Sequence, residues 1–349
     1  MTNRIWVVLF FVFFFTSCKS KSESDTKKIY IDLKRMHIEK IEDIIEKIDT
    51  IFLEANTISL IGSITKISFF ENNIYICDSQ HNKLLVFSEN GTFLNNIGMK
   101  GRAGNEFIGI NDFFIHNDTI FLYDFNGQKI LKFRKDGSHI HTSQLEHSFN
   151  LIQLLPNNRG YIVLNTYGNK KVIPKFSWLD YNFKERYSSF EQRLNGSNLN
   201  NSFFQYGTFL VYWELLNDTI YSVTDKEVTP KYVVDFMNYA MPSNITDIPE
   251  MTEYYINNSS KVAGFINNVI ETDKVVAFMF GYDKASYWAL IDKKRNNTRI
   301  FRLTEVEDFF GKLNYIATFH NGWFYGVYMP DELNINNNPS LIRFKISEP

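Results

Sequence analysis

From residue 64 onward, apolar side chains occur in short runs separated by clusters of Asn, Asp, Gly and Ser. The stretch from Ile64 to Leu94 is repeated from Ile110 to Ile140 at a constant offset of 46 residues and without a gap. The matching pairs are Ile64 with Ile110, Ile76 with Leu122, Asp78 with Asp124, Lys83 with Lys129, Phe87 with Phe133, and Gly91 with Gly137. A repeat of this length in β-type sequence is typical of propeller blades, which are four-stranded sheets around an axis.

The first two repeats each predict four short strands, because apolar runs alternate with turn-forming residues. The predicted strands are Ser63–Phe70, Asn73–Asp78, Lys83–Ser88 and Thr92–Ile97 in blade one, and Ile110–His116, Thr119–Asp124, Lys129–Arg134 and Ser138–Gln144 in blade two. Asn90-Gly91 and Asp136-Gly137 are strong hairpin signals. Later units keep the rhythm, since Asn117-Asp118-Thr119-Ile120 recurs as Asn217-Asp218-Thr219-Ile220.

The last unit predicts only three strands, which are Tyr315–Phe319, Trp323–Tyr328 and Leu341–Ile346. Asp49–Ala55 precedes blade one and has no local partner. Because a closed ring leaves no strand edge exposed, we expect this segment to complete the last blade. The sequence therefore predicts an all-β, six-bladed propeller that forms a single domain over residues 38–349.

Two short helices are predicted as insertions in this propeller. Isoleucines recur at helical spacing within Ile38–Lys47, which favours a helix beside the closure. Met241–Ser260 contains Asp247-Ile248-Pro249-Glu250, and Pro at an early position is typical of a helix start.

The repeat and its loop also resemble a known family. Ile74–Asp78, Lys83–Phe87, Asn90-Gly91 and the Gly-rich stretch Gly98–Phe107 are similar to an NHL-type repeat with its inter-blade loop. Together with Ile51–Glu54 and Leu60–Ile64, the pattern resembles six-bladed β-propeller lipoproteins of Bacteroides-type bacteria over about residues 48–349. The resemblance implies the architecture and an envelope location but no reaction. The chain departs from it at Ala103 and Asn105, where the family loop usually reads Gly-Pro-Gly.

The N-terminus has the composition of an export signal. Arg4 precedes an apolar run from Ile5 to Phe15, which is too short for a permanent membrane span and fits a secretory signal peptide over residues 1–17. Cys18 directly after this run resembles a lipobox, which implies lipidation of Cys18 and an outer-membrane lipoprotein facing the periplasm or the cell surface. The alternative is an ordinary signal peptide with an incidental cysteine. Residues 18–37 are mostly polar and predict a flexible tether.

Composition excludes some classes of partner. The chain has 37 Lys and Arg residues against 39 Asp and Glu, for a net charge of −2, and this balance does not favour nucleic acid. Only Cys77 remains after Cys18, so no internal disulfide is expected, and we expect a monomer without a cofactor. Aromatic residues make up 16% of the chain, as suits sheets packed face to face.

Several motifs suggest chemistry but have simpler structural interpretations. Asp78 and Asp124 end strands, where a carboxylate caps the following turn more often than it binds a cation in the channel. Gly101 and Gly104 lack the Lys-Ser/Thr pair of a phosphate-binding loop, so we interpret them as turns beside a wedged Phe107. His139 and His141 share one strand face, but zinc needs further ligands, so no metal site is predicted.

Three residues are predicted to contact a ligand. Arg102 is a charged residue at a loop tip, and Tyr206 and Trp213 lie in the least regular blade, where an aromatic platform for a sugar ring could open. Core packing is the alternative for Trp213 and for Trp178, Trp288 and Trp323. Thr50, Thr119 and Thr219 each lie in an Asp-Thr-Ile sequence. This resembles the O-glycosylation signal of Bacteroides-type envelope proteins, and the alternative is simple strand entry.

Three functions are compatible with this sequence. The first is a lipid-anchored, non-enzymatic module that binds a glycan, a peptide or a partner protein on one rim. The second is a lyase or hydrolase in the channel, with or without a metal. The third is a structural or sensory partner of another envelope protein.

Overall fold

A computed structural model of the chain describes residues 26–35, 37–165, 173–192, 203–214, 216–245, 248–303, 313–328 and 337–347. Its strands, in chain order, are β1 (Lys27–Tyr30), β2 (Ile38–Glu39), β3 (Ile45–Phe52), β4 (Ile64–Phe70), β5 (Asn73–Asp78), β6 (Lys83–Ser88), β7 (Phe93–Asn96), β8 (Asp112–His116), β9 (Thr119–Asp124), β10 (Lys129–Phe133), β11 (His139–Gln144), β12 (Leu151–Leu154), β13 (Tyr161–Leu164), β14 (Ile173–Leu179), β15 (Glu185–Gln192), β16 (Phe203–Tyr206), β17 (Phe209–Tyr212), β18 (Thr219–Val223), β19 (Val228–Asp235), β20 (Gly264–Glu271), β21 (Val275–Tyr282), β22 (Ala285–Asp292), β23 (Asn297–Arg302), β24 (Leu313–His320), β25 (Trp323–Tyr328) and β26 (Ser340–Ile346).

These strands form the six sheets of a β-propeller, as the repeat predicts. Blade 1 is β4–β7, blade 2 is β8–β11, blade 3 is β12–β15, blade 4 is β16–β19 and blade 5 is β20–β23. Blade 6 combines β24, β25 and β26 with the N-terminal strand β3. The predicted strands of the first two blades agree with the observed ones to within two residues at each end.

The ring closes between the two ends of the chain. β3 pairs antiparallel with β26, which places Ile51 opposite Leu341 and Ile48 opposite Phe344. Phe344 is buried and stacks on Phe324 of the neighbouring strand, at 5.6 Å between ring centroids. The closure predicted for Asp49–Ala55 is confirmed, and the strand begins four residues earlier than predicted.

Two expectations about the N-terminal region are wrong within the described residues. The last part of the predicted tether is structured, because β1 pairs parallel with β19 and buries Ile29. The predicted helix over Ile38–Lys47 is replaced by β2, which pairs parallel with β23, and by a single 3₁₀ turn over Ile41–Ile44. Pairing with existing blade edges satisfies the backbone of this segment better than an isolated short helix would.

The second predicted helix is present as α1 (Ile248–Asn257), between blades 4 and 5. Pro249 lies in its first turn, where a missing N–H costs nothing. Tyr255 packs edge-on against Phe265 at the start of β20, at 4.2 Å between centroids. The helix is thereby attached to the start of an inner strand. No helix among the described residues is long and apolar enough to cross a membrane.

Apolar side chains fill the spaces between adjacent blades. Phe107, from the loop between blades 1 and 2, is buried among Tyr75 and Val86 of blade 1 and Phe113 and Phe133 of blade 2. Its role as a wedge is as predicted. The same packing with larger rings occurs between blades 5 and 6, where Trp288, Phe324 and Phe344 meet. Ring contacts of this kind add to the burial of apolar area.

The innermost strands β4, β8, β12, β16, β20 and β24 run in the same direction around a central channel. At their starts, Asp112 of β8 accepts hydrogen bonds from Lys66 of β4 and from the N–H of Ile152 in β12. At their ends, Phe69 of β4 stacks on His320 of β24. We call the side where these strands begin the top face and the side where they end the bottom face.

Candidate functional site

The central channel is a cavity of about 250 Å³ that is lined by all six inner strands. Near the top face, Lys66 and Asp112 form an ion pair at 2.7 Å, and the Asp112 side chain is buried. Further along, the Gln153 side-chain amide donates to Gln205 at 2.8 Å. Neutral amides and one neutralised ion pair give this part of the channel polar groups without a net charge.

One inner strand is strained where it borders the channel. In β20, Phe265 and Asn268 have φ angles of 59° and 48°, a region that residues other than glycine rarely adopt. Register shifts between β20 and β21 flank Asn267, so this part of the strand carries bulges. Bulges and positive φ re-aim side chains, and here they turn Asn268 and Val269 toward the channel.

Aromatic rings from three blades surround the bottom end of the channel. Tyr206 of blade 4 packs edge-on against Phe319 of blade 6, at 5.0 Å between centroids. Phe319 contacts Phe324, and the adjacent His320 stacks on Phe69 of blade 1 at 4.7 Å. We call these five residues the aromatic arc. Burial lowers the pKa of His320, which favours the neutral form of its ring.

Two hollows open on the bottom face on either side of one hairpin. The hairpin turns at Asn321-Gly322, whose φ angles of 46° and 81° suit a tight turn between strands. The hollow between blades 4, 5 and 6 has a volume of about 270 Å³. It is lined by Tyr206, Thr272, Asp273, Lys274, Val275, Phe319, Gly322, Phe324, Lys345 and Ile346. The hollow between blades 6 and 1 is smaller, at about 180 Å³, and its polar lining includes Glu71, Glu89 and Arg343.

We call the larger cavity the 4–6 hollow and the smaller one the 6–1 hollow. Each of them and the channel share at least one residue of the aromatic arc, since Phe319 lines the channel and the 4–6 hollow, and His320 lines the channel and the 6–1 hollow. The bottom face therefore combines three concave surfaces around one set of rings, all partly exposed except that of Phe324. Concave surfaces with apolar rings and a few polar groups are the usual form of a ligand site.

A buried charge cluster lies directly behind the 4–6 hollow. Glu271, at the end of β20, has no solvent exposure, and its carboxylate is 2.8 Å from the Lys231 ammonium and 2.9 Å from that of Lys293. The Tyr232 hydroxyl donates to the same carboxylate at 2.9 Å. Burial, and then this negatively charged partner, raises the pKa of Tyr232. Lys293 also donates to the carbonyl of Thr272, a residue that lines the hollow.

The predicted ligand contacts do not come together in one site. Arg102 is exposed on the top-face loop between blades 1 and 2 and lines none of the three cavities. Trp213 is buried in the core and lines the channel. Tyr206 belongs to the aromatic arc on the bottom face. Phe319, Lys274, Lys345 and Glu271 were missed, because each lies in a turn or strand end without a motif of its own.

Structural interpretations account for the other motifs. The buried Asp78 accepts N–H groups from Gly62, Ser63 and Gln80, and Asp124 does the same for Ile108, Gly109 and Gly127. Both carboxylates therefore cap turns, as expected.

The carboxylate of Glu106 occupies the inside of the Gly-rich loop to which it belongs. Glu106 accepts the N–H of Ala103 at 2.9 Å, and its carboxylate fills the space beside Gly101 where an anion would have to sit. His139 packs against Phe133 and contacts Thr142, while His141 is exposed on the same strand. Within the described ranges, no group of three His, Cys, Asp or Glu side chains is placed to hold a metal ion.

The predicted modification sites are spread over the molecule. Thr50 lies in β3, the outermost strand of blade 6, whereas Thr119 and Thr219 begin β9 and β18 inside their blades. All three side chains are half-buried. Cys18 and the predicted signal peptide lie outside the described residues.

Two solved structures from Bacteroides have the same fold. A predicted exported protein of Bacteroides fragilis is 19% identical over 92% of this chain and 100% of its own, with a TM-score of 0.77. A member of the DUF4221 family from Bacteroides vulgatus is 12% identical over 87% of this chain and 97% of its own, with a TM-score of 0.56. Identities this low show the fold alone.

Comparison at the level of sequence identifies one family. No curated protein matches the chain. The NHL-type likeness of the blades stays a resemblance, because the family whose model matches is a different one. That model covers residues 29–345, which reaches into all six blades and includes the aromatic arc. The chain belongs to the family described as domain of unknown function DUF4934.

Proposed function

We propose that this protein is a binding module of the cell envelope that holds its ligand on the bottom face without turning it over. The observation that carries the proposal is the convergence of the channel and two hollows on the aromatic arc. Partly exposed rings such as Tyr206 and Phe319 provide flat apolar surface, and a rigid propeller holds them in place. The bottom-face turns supply the polar groups around these rings.

The proposal is tested by binding measurements with a matched pair of variants. Wild-type protein is screened against immobilised glycans and peptides, and the bound ligand is then incubated in solution and analysed by chromatography. Tyr206→Ala should weaken binding at least tenfold, because its ring forms one wall of the arc. Tyr30→Ala removes an exposed ring of the same blade at its outer edge and should leave binding unchanged.

Two results would count against this function. Loss of the starting ligand during incubation would show that the protein is an enzyme and not a binding module. Binding that depends on Arg102 rather than on Tyr206 would move the site to the top face.

The location in the envelope is part of the same proposal. It is supported by the export-type N-terminus and by the fold shared with a predicted exported protein of Bacteroides fragilis. We propose that Cys18 carries the lipid anchor. Metabolic labelling with a fatty acid should mark the wild-type protein and leave Cys18→Ser unlabelled. Equal labelling of both would remove the anchor from the proposal.

Among the three Asp-Thr-Ile sites, we propose Thr50 as the O-glycosylated residue. β3 is the outer strand of its blade, and the adjacent Asp49 side chain is about half exposed. Intact mass of protein made in its native host should fall by one glycan in Thr50→Val and stay unchanged in Thr119→Val. The opposite pattern would assign the modification to blade 2.

A further inference from the structure

Three side-chain amides from neighbouring inner strands line the channel. They belong to Gln153 of β12, Gln205 of β16 and Asn268 of β20, and all three residues are half-buried. An amide carries donors and an acceptor, and a sugar hydroxyl group likewise donates and accepts. The channel wall formed by blades 3, 4 and 5 therefore offers a ligand uncharged groups of both kinds.

Much of the hydrogen-bonding capacity of these amides is unused. Gln153 donates to Gln205 at 2.8 Å, which leaves the oxygen of Gln153 and the nitrogen of Gln205 without a partner among the described residues. The Asn268 nitrogen contacts the Met279 sulfur at 3.5 Å, and a thioether is a weak acceptor. A ligand in the channel can therefore bind these amides without displacing strong internal hydrogen bonds.

The backbone that presents Asn268 is held in an unfavourable conformation. The φ angles of Asn268 and Phe265, 48° and 59°, lie in the left-handed region. The Asn267 side chain donates to the Phe265 carbonyl at 2.7 Å, and Tyr255 of α1 packs edge-on against the Phe265 ring. Strained residues persist where surrounding contacts enforce them, and they are concentrated at functional sites. Asn267 and α1 thus fix the bulge from which Asn268 faces the channel.

The charges of the channel disfavour a charged ligand. Among the described lining residues, Lys66 alone carries a permanent charge, and Asp112 pairs with it at 2.7 Å. Asp112 also accepts the N–H groups of Phe113 and Ile152, so its carboxylate is already satisfied. The end of a peptide carries an ammonium or a carboxylate group, which would lose hydration in the channel without gaining an opposite charge. The end of a neutral glycan carries no charge and avoids this cost.

The shape of the channel limits how a ligand enters. Its volume of about 250 Å³ is below the roughly 300 Å³ at which pockets for drug-sized molecules begin, so it suits one sugar unit and not a longer chain. All six inner strands surround it, so this unit enters along the axis as the end of a chain. The rings of Phe204 and Trp213 line the same cavity and supply apolar surface for a sugar ring.

We propose that the channel binds the uncharged terminal sugar of a glycan, with its hydroxyl groups hydrogen-bonded to Gln153, Gln205 and Asn268. This inference rests on the proposed binding function and names its ligand class and its innermost subsite. The sugar units that follow the terminal one lie against the aromatic arc at the bottom end of the channel.

The test measures binding of neutral oligosaccharides to the full-length chain by isothermal titration. The probes are maltohexaose, cellohexaose and mannohexaose. Asn268→Gly removes an amide, and because glycine adopts a positive φ readily, its thermal stability should stay close to that of wild type. Asn296→Gly is the matched control, since Asn296 has a φ of 52° and is exposed in a hairpin outside the channel. Gln153→Met removes a second amide with little change in side-chain length.

We expect at least one probe to bind, with an affinity that changes by less than about twofold between 0.05 M and 0.5 M salt, because a neutral ligand has no charge for salt to screen. Asn268→Gly and Gln153→Met should each weaken binding about tenfold or more, since each leaves sugar hydroxyl groups without a partner. Asn296→Gly should stay within about twofold of wild type. Strong weakening by salt, or an equal loss in Asn296→Gly, would overturn the inference.

Tryptophan fluorescence shows where the ligand lies. Trp213 lines the channel, whereas Trp323 lines the 6–1 hollow. A saturating probe should change the fluorescence of wild-type protein and leave that of Trp213→Phe unchanged. A change that persists in Trp213→Phe would place the ligand against Trp323 and overturn the channel site.

Other outcomes separate this inference from the proposed function. Probe binding that is lost in Tyr206→Ala and unchanged in Asn268→Gly would keep the bottom-face function and reject the channel subsite. Peptides or acidic glycans that bind while none of the three probes does would keep the function and reject the ligand class. If neither glycans nor peptides bind wild-type protein, the proposed function fails together with the inference.

Discussion

The closing strand β3 allows a sharp test of how the ring is held together. Ile51 and Phe52 are neighbours in this strand, yet Ile51 is 4% exposed and Phe52 is 74% exposed. Ile51 lies in the core between blades 6 and 1 with Ile61, Leu85 and Leu341. The larger side chain is thus the one in solvent.

The expected cost of truncating Ile51 follows from this burial. Ile51→Ala removes three carbon atoms, worth about 0.8 kcal/mol each in transfer free energy. The cavity left between the blades adds to this, so that the total destabilisation should be about 2–5 kcal/mol. Phe52→Ala removes a larger side chain from an exposed position and should change the free energy of unfolding by less than about 0.5 kcal/mol.

Urea unfolding followed by fluorescence gives both values on purified protein. Comparable slopes for the three proteins would show that the midpoints report stability. A Phe52→Ala loss equal to or larger than that of Ile51→Ala would refute the pairing of Ile51 with Leu341, because a slip of one residue exchanges the two faces of a strand.

Three further predictions concern single residues. Gly91 has a φ of +91°, and a Cβ there would lie 2.1 Å from the Phe52 carbonyl oxygen, so Gly91→Ala should destabilise the protein by more than about 2 kcal/mol in the same urea assay. Gly207→Ala, also at positive φ but with open space around it, should cost about 1 kcal/mol, and equal losses would show that the contact with Phe52 has no effect. Burial, and then the nearby Asp235, raises the pKa of Asp218 to about 6, which favours its protonated form in the folded state. The contribution of Asp218 to stability should therefore fall by on the order of 3 kcal/mol as pH rises from about 4 to about 6, a contribution that Asp218→Asn should remove from the pH profile and Asp118→Asn should retain. Burial raises the pKa of the Cys77 thiol to about 12, so it should not react with a thiol reagent at pH 8 until urea unfolds the chain, and fast labelling of the native protein would contradict its position in the core.

The propeller architecture could be predicted from the sequence because residues within each blade specify its strands and turns. In blades 1 and 2 the alternation of apolar residues and the Asn-Gly and Asp-Gly turns specify each hairpin without distant contacts. The closing strand was also predictable, since a three-stranded last blade requires a partner. β1 was not, because Lys27 and Lys28 lower its hydrophobicity and the strand forms only against β19. The spacing of Ile38, Ile41 and Ile44 suits a helix equally well until the blade edges are present.

The candidate site was less accessible for a related reason. Its rings and charges come from strand ends and turns of blades 4, 5, 6 and 1, and no local pattern shows which turns meet. Tyr206 was predicted because its blade is irregular, but Glu271 reads as an ordinary polar residue at the end of an apolar strand. Its two lysine partners lie 40 residues before it and 22 residues after it. The packing of blade 4 against blade 5 brings them together.

The parallel pairing of β1 has a geometric consequence for an anchored protein. β19 runs from the bottom face to the top face, so β1 also begins at the bottom, where the Thr26 hydroxyl donates to the Pro230 carbonyl beside Lys231. Cys18 and Thr26 are eight positions apart in the chain, and a fully extended segment of eight residues spans at most about 28 Å. A lipid on Cys18 would hold the propeller with its bottom face toward the bilayer. A ligand of the bottom face would then enter from the side, through a gap between the propeller and the bilayer that is no wider than this extended segment.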